Sequence, residues 1–208
     1  MHKFKIEENI MRKNIDKNME IYDKICVDYI AETFNNYHLE GVERFLKYVN
    51  GVEKILELGT GSGNNLTYIF GQGRSIQGSD NVLGFYEWIG SRFACPFAYI
   101  DFSDVDFVNS YINDYEIQHL FCNLALHHLT YKQLQYFIEK IQFPGVFFFS
   151  IYEGIGDNID DKGIYSSYYK HRQIVKMLGD RFEILEQWFC DDVHKSDKTM
   201  MNYVVRRK

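Results

Sequence analysis

Two prolines, Pro96 and Pro144, are all that this chain of 208 residues carries. So small a supply excludes a proline-rich linker or tract. The four cysteines, Cys26, Cys95, Cys122 and Cys190, stand far apart, with no Cys-x-x-Cys pair. That spacing argues against a zinc knuckle and against a disulfide scaffold. No stretch approaches the roughly 18 apolar residues of a membrane span. Met1 to Lys17 is charged and has no apolar run of the secretory kind. A reduced, cytoplasmic setting with no membrane partner is expected. A dense basic stripe is also missing. The formal net charge is −6, and Arg206-Arg207-Lys208 reads as a solvated end. Neutralised phosphates drive nucleic-acid binding, so no nucleic-acid partner is expected.

What is present is a core. The chain is 46% hydrophobic and 17% aromatic, enough for a single domain with one sizeable interior. Some of the sixteen Tyr and seventeen Phe are available to line a pocket for a flat or apolar ligand.

The patterning alternates. Met1 to Asn18 reads as a frayed or helical lead-in. Ile21, Ile25, Tyr29 and Phe34, and then Val42, Phe45, Leu46 and Val49, recur at helical spacing. They predict two helices broken near Asn35-Asn36. Strands are predicted at 53–58, 75–80, 97–100, 119–122 and 146–151, with helical spacing over 64–70, 82–93, 105–115 and 132–141 between them. Alternation of this kind predicts an α/β fold whose parallel sheet carries helices on both faces. The end differs: a helix over 171–178, a strand over 182–189, a polar stretch from Asp191 to Lys198 and a last strand over 200–205. Two strands joined by a loop predict an antiparallel finish. Asp157-Asn158-Ile159-Asp160-Asp161 lacks a calcium-loop pattern and reads as a solvated loop.

The most informative segment is Glu57-x-Gly59-x-Gly61-x-Gly63, between a predicted strand and a helix. Ligands bind at such turns in open α/β sheets. Glycine tolerates positive φ and leaves room for a ligand beside the backbone. A helix N-terminus beyond it offers free N–H groups to a carboxylate. A dinucleotide fingerprint needs its third glycine one position later. Glu57 would also repel a pyrophosphate, but suits a ligand that carries positive charge. Asp80 ends the second strand, where a carboxylate can accept two hydrogen bonds from a ribose diol. Asp101 ends the third, with Phe102 after it, suited to an adenine amino group and its ring.

Ile55-Leu56-Glu57-Leu58-Gly59-Thr60-Gly61-Ser62-Gly63-Asn64, Gly78-Ser79-Asp80 and Ile100-Asp101-Phe102 resemble the motifs of the class I S-adenosylmethionine-dependent methyltransferase family. Phe121-Cys122-Asn123-Leu124-Ala125-Leu126-His127-His128-Leu129 is similar to its fourth-strand motif, and Phe143-Pro144-Gly145-Val146 to its turn before the fifth strand. The resemblance covers roughly residues 50 to 205. Gln118 stands where the family often has an acid, and Gly145-Val146 where it often has two glycines. The resemblance implies a Rossmann-like, seven-stranded, mostly parallel sheet with an antiparallel last strand. It also implies a helical cap or lid over residues 1–50 and a cofactor-binding core over 51–208. S-adenosylmethionine is the implied cofactor, held by Glu57, Gly59, Thr60, Gly61, Gly63, Asn64, Asp80, Asn81, Asp101, Phe102, Asn123, Leu124 and Tyr22.

A sulfonium methyl is already electrophilic, so holding an acceptor in line supplies much of the catalysis. A base is needed only if the acceptor must lose a proton. His127 and His128 follow the fourth strand, where the resemblance puts the acceptor, and either could serve near neutrality. The plainer alternative has one packing beneath the loop and the other capping the next helix. Tyr22 and Tyr29, and Tyr165, Tyr168 and Tyr169, fall in regions with which family members often cover the cofactor. The chain lacks Asn-Pro-Pro-Tyr and Pro-Cys at the fourth strand and carries no added recognition domain. A small-molecule acceptor with an oxygen, nitrogen or carbon nucleophile is therefore expected, with the protein a monomer or homodimer. The rival readings are a methyltransferase that reaches RNA or protein through a partner subunit and a non-catalytic S-adenosylmethionine-binding module. A nicotinamide dehydrogenase is disfavoured by the glycine spacing.

Overall fold

The computed structural model describes residues 2–35, 37–192 and 197–208. Asn36, half of the expected helix break, and residues 193–196 of the polar stretch before the last strand lie outside the described residues.

The predicted alternation is realised. Helices α1 (His2–Thr33) and α2 (Leu39–Leu46) lead into β1 (Ile55–Leu58), α3 (Asn64–Gly71), β2 (Ile76–Asp80), α4 (Leu83–Arg92) and β3 (Phe97–Tyr99). There follow α5 (Val105–Asp114), β4 (His119–Cys122), α6 (Tyr131–Lys140) and β5 (Val146–Tyr152). The chain ends with β6 (Gly156–Ile159), β7 (Tyr165–Tyr168), α7 (His171–Leu178), β8 (Phe182–Asp191) and β9 (Thr199–Arg207). The lead-in is helical, continuous with α1.

Seven strands form one sheet in the order β3-β2-β1-β4-β5-β9-β8. β9 is antiparallel to both β5 and β8, and the other pairs are parallel. The chain builds outward from β1 to β3 and then returns to place β4 on the other side of β1. Their carboxyl ends therefore flank the switch point, where open α/β sheets leave a crevice.

Burial explains the strand composition. All seven residues of β5 are buried, as a strand covered on both faces must be. On one face, Val108 and Ile112 of α5, Leu134 and Phe137 of α6 and Ile174 of α7 cover Leu56, Leu58, Phe147 and Phe149. On the other, Phe45 of α2, Leu66 and Ile69 of α3 and Ile89 of α4 meet Ile55, Phe121 and Phe148. α2 thus belongs to the covering layer. α1 instead packs Cys26 and Ile30 on Val82 and Phe85 of the α4 segment. Asp23 also accepts from the Gly84 N–H at 2.9 Å.

One expectation fails. Asp157 to Asp161 is not simply a solvated loop: β6 pairs antiparallel with β7 as a separate two-stranded ribbon. Ser167 Oγ donates to the Asp157 carboxylate at 2.8 Å, and Asp160 accepts from the Lys162 and Ile164 N–H groups to close the turn.

Candidate active site

A narrow cleft opens at the carboxyl ends of β1 to β4. Its floor is the glycine turn. Gly59, Gly61 and Gly63 have φ of 68°, 57° and 88°, values that penalise any residue with a Cβ. At Gly59 a Cβ would also lie 2.3 Å from the Ala125 Cβ. Gly63, just before α3, has Ile89 in the way at 2.1 Å. Gly61 differs: its missing Cβ would meet only the Tyr29 ring at 3.5 Å, so its bare backbone faces the cleft.

Asp80 and Asn81 enter from the end of β2, Asp101, Phe102 and Ser103 from the end of β3, and Leu124 and Ala125 from the end of β4. Asp80 accepts from the Gly61 N–H at 2.9 Å and from the Val82 N–H at 3.0 Å, so one carboxylate pins the turn to the start of α4. Burial pushes its carboxyl up to about 6, against the pull of those N–H donors. Asp101 accepts from Ser103 N and Oγ at 2.9 and 2.7 Å, which turns the chain back toward the cleft.

Behind the turn lies Glu57, only 1% exposed. Its Oε2 has no hydrogen-bond partner. Burial pushes its carboxyl up to about 8; the Thr60 hydroxyl, donating to it, acts in the opposite direction, and Asp80 adds to the rise. A buried carboxyl oxygen without a donor costs free energy unless a cation or donor answers it.

The remaining expected residues divide. Thr60 is buried and accepts from the Ser79 N–H at 3.0 Å, and Asn64 accepts from the Asn65 N–H at 2.8 Å. Neither these two, Glu57, Gly63, Asn123 nor His127 lines the cleft. Asn123 supports it instead. Its Oδ1 accepts from Ser150 Oγ at 2.7 Å, and Ser150 accepts from the Leu124 N–H at 2.8 Å. Leu124 sits at φ 51°, a strained value for a branched residue, so Ser150 on β5 braces the turn after β4.

The two histidines separate cleanly. His127 is buried, its ring 4.1 Å from His128 and 4.7 Å from Tyr152. His128 lines the cleft. It does not cap α6, whose cap is the reciprocal Thr130–Gln133 pair. Tyr22 Oη lies 3.2 Å from His128 Nε2.

α1 forms one wall through Ile15, Asn18, Met19, Tyr22 and Tyr29. Tyr22 and Tyr29 meet edge to face at 5.4 Å, and both rest against Phe85. The rings of Tyr165, Tyr168 and Tyr169 do not line the cleft. Tyr165 and Tyr169 are buried, their hydroxyls bonded to Ser167 and to the Leu129 carbonyl, and Lys198 donates to Tyr168. Sequence reasoning missed Asn18, Phe85 and Ser103. Only Ser103 carried a local signal, two residues after an Asp that ends a strand.

The fold recurs in solved structures. An S-adenosylmethionine-dependent methyltransferase from Anabaena variabilis superposes with a TM-score of 0.71 at 12% identity, over 91% of this chain and 93% of that one. One from Clostridium acetobutylicum gives 0.61 at 16% identity, over 93% and 98%. Burkholderia thailandensis 1,6-didemethyltoxoflavin-N1-methyltransferase, solved with 1,6-didemethyltoxoflavin and S-adenosylhomocysteine, gives 0.67 at 14% identity, over 97% and 89%. The chain has the class I S-adenosylmethionine-dependent methyltransferase fold. No protein-family model and no curated protein matches the sequence. The likeness thus resides in the fold. Among the described residues, no helix is long and apolar enough to cross a membrane, and no group of three or more His, Cys, Asp or Glu residues could hold a metal ion.

Proposed function

We propose that the chain transfers a methyl group from S-adenosylmethionine to a small-molecule acceptor. One observation carries this reading. At the carboxyl edge, bare backbone at Gly61 lies beside the Asp80 carboxylate, with the unanswered Glu57 Oε2 behind the turn. That combination fits a nucleoside with a cationic amino-acid end. Asp80 and Asn81 would hold the ribose; Asp101, Phe102 and Leu124 would hold the base. Gly59 and Gly61 would hold the amino-acid end, with Thr60, Gly63 and Asn64 shaping the turn beneath them and Glu57 behind it, and Tyr22 would close over it. Asn123 acts by fixing the turn at Leu124. When bound, S-adenosylmethionine supplies an electrophilic methyl group and leaves as S-adenosylhomocysteine.

The protein's own contribution is position and exclusion of water. α1, in the expected cap of residues 1–50, serves as the cover, and residues 51–208 as the core. Of the two histidines, His128 is the candidate base, because it faces the cleft. A narrow cleft walled by Tyr22, Tyr29 and Phe85 suits a small, flat acceptor better than a polymer. A small molecule, 1,6-didemethyltoxoflavin, is bound in the Burkholderia methyltransferase. The reading has the protein act in the cytoplasm as a monomer or homodimer, with no nucleic-acid or membrane partner.

Calorimetry with S-adenosylmethionine and S-adenosylhomocysteine tests the first half, and absence of binding to both rejects it. Labelled methyl transfer tests the second. Label is expected in a metabolite fraction; label in RNA or protein alone replaces the small-molecule acceptor with a macromolecule. Binding without any transfer leaves a ligand-binding module.

A further inference from the structure

The side chain of Asn18 does something unusual for a residue on a polar helix. Its Oδ1 accepts from the Tyr165 N–H at 2.8 Å, and its Nδ2 donates to the Tyr165 carbonyl at 2.9 Å. Both backbone polar groups of one residue are thus answered by a side chain 147 residues away. The buried Tyr165 N–H needs an acceptor, so it fixes which end of the carboxamide is oxygen. The same Nδ2 lies 3.1 Å from His128 Nδ1, and His128 Nδ1 lies 2.9 Å from the Tyr165 carbonyl.

This triangle selects a tautomer. If Nδ1 carries the proton, His128 and Asn18 both donate to one carbonyl oxygen, which has two lone pairs to offer. If Nδ1 is bare, it can accept from Asn18 Nδ2 at 3.1 Å, but that amide already donates to the Tyr165 carbonyl, and the Nδ1 lone pair still faces the carbonyl oxygen at 2.9 Å, an acceptor against an acceptor. The first arrangement is favoured. Nε2 then holds the lone pair, and Nε2 is the atom that faces Tyr22 Oη at 3.2 Å. Tyr22 and His128 both line the cleft.

We propose that Tyr22 and His128 form a proton relay for an acceptor that carries a hydroxyl group, with Asn18 as the positioning residue that clamps the Tyr165 carbonyl against the imidazole. The proposal rests on the methyl-transfer reading above. The acceptor O–H proton passes to the Tyr22 oxygen while the Tyr22 proton moves to Nε2, which leaves an imidazolium. The acceptor oxygen forms the new C–O bond with its own electron pair, and the sulfur keeps the pair of the broken S–C bond. A hydroxyl gains most from this device, since a neutral amine already has a lone pair for attack and can lose its proton afterwards. Burial, with help from Tyr29, Asp160 and Asp80, holds the Tyr22 hydroxyl well above its ordinary value, so tyrosine hands the proton on rather than standing ionised. The groups around the pair are Tyr22 and Tyr29 from α1, the neighbouring His127 ring, Asp80 from β2 and Asp160 from the β6–β7 turn.

Nitrogen NMR of the His128 ring tests the lock directly, well above the usual imidazole pKa of about 6.5. The expected result is a proton on Nδ1 and none on Nε2, giving way to a tautomer mixture in Asn18→Ala, which releases the Tyr165 backbone from its clamp and so moves the carbonyl away from Nδ1. A proton on Nε2 in the unaltered protein, or a ring that ignores Asn18→Ala, overturns the proposal. The relay is tested by labelled methyl transfer to the small-molecule fraction of a cell extract. The label should appear on oxygen, and Tyr22→Phe should slow transfer about a hundredfold. Label on nitrogen or carbon, or an undiminished Tyr22→Phe, overturns it. Calorimetry with S-adenosylhomocysteine separates the two failures: no binding rejects the methyl-transfer reading, and leaves the tautomer measurement to judge the lock.

Discussion

The two halves of the sheet are built to different rules. β3, β2, β1 and β4 have three to five residues each and end in Asp80, Gly59, Asn123 and their neighbours at the cleft. β5, β9 and β8 have seven, nine and ten, and pair over long antiparallel ladders. The short half buries carboxyls without full compensation: Glu57 and Asp80 both sit above the ordinary carboxylate range. The long half buries mainly apolar and aromatic groups, such as the stacked Phe149 and Tyr203 rings at 5.0 Å. Long antiparallel ladders mark one half, and buried carboxyls beside the cleft mark the other.

The sharpest way to break that division is Phe149→Ala. Removing a fully buried ring from the long half should cost about 3–5 kcal/mol in urea unfolding. Affinity of the folded fraction for S-adenosylhomocysteine should barely change, and a parallel loss of affinity would show that the halves are not separate. Gly61→Val is the converse. The side chain meets only Tyr29 among protein atoms but fills the cleft, so calorimetry should record a loss of binding of about a hundredfold or more, for roughly 1–2 kcal/mol of backbone strain. Ser150→Ala probes the seam between the halves. It removes the brace under the strained Leu124 turn, and both stability and ligand affinity should fall by about 1 kcal/mol.

The smallest effect is a pH slope. Glu57 keeps its proton in the folded, ligand-free protein up to about 8, whereas the unfolded chain releases it near the ordinary value of 4.5. The native state binds more protons across that window, so stability falls as pH rises through it. Melting temperatures measured across the window should decline, and Glu57→Gln should flatten the decline above about 6, where Asp80 has also titrated. An equal slope in both proteins would show that the Glu57 proton is not held.

Much of this was legible in the residues. α7 and β4 lie where their patterning put them, and the other expected helices and sheet strands were recovered with small shifts at their ends. The glycine turn, Asp80 and Asp101 share one cleft, because each ends a strand of the same parallel sheet. The β6–β7 ribbon was hidden because β6, Gly-Asp-Asn-Ile, is exposed throughout and has no alternation to read. Its carboxylates looked like a loop because one closes the turn and another answers a serine on β7. Adjacent histidines read alike in sequence, and only the fold turns His127 inward and His128 toward the cleft. Asn18 could not be found locally, since its meaning depends wholly on a peptide 147 residues away.

The grip of Asn18 on Tyr165 has a consequence for association between molecules. In a two-stranded ribbon, the outer margin of each strand offers unpaired peptide groups that can template a stray chain. At Tyr165 that margin of β7 is already saturated by a carboxamide, which imitates a third strand one residue wide. The same contact that orders the imidazole therefore also guards the ribbon against lateral growth.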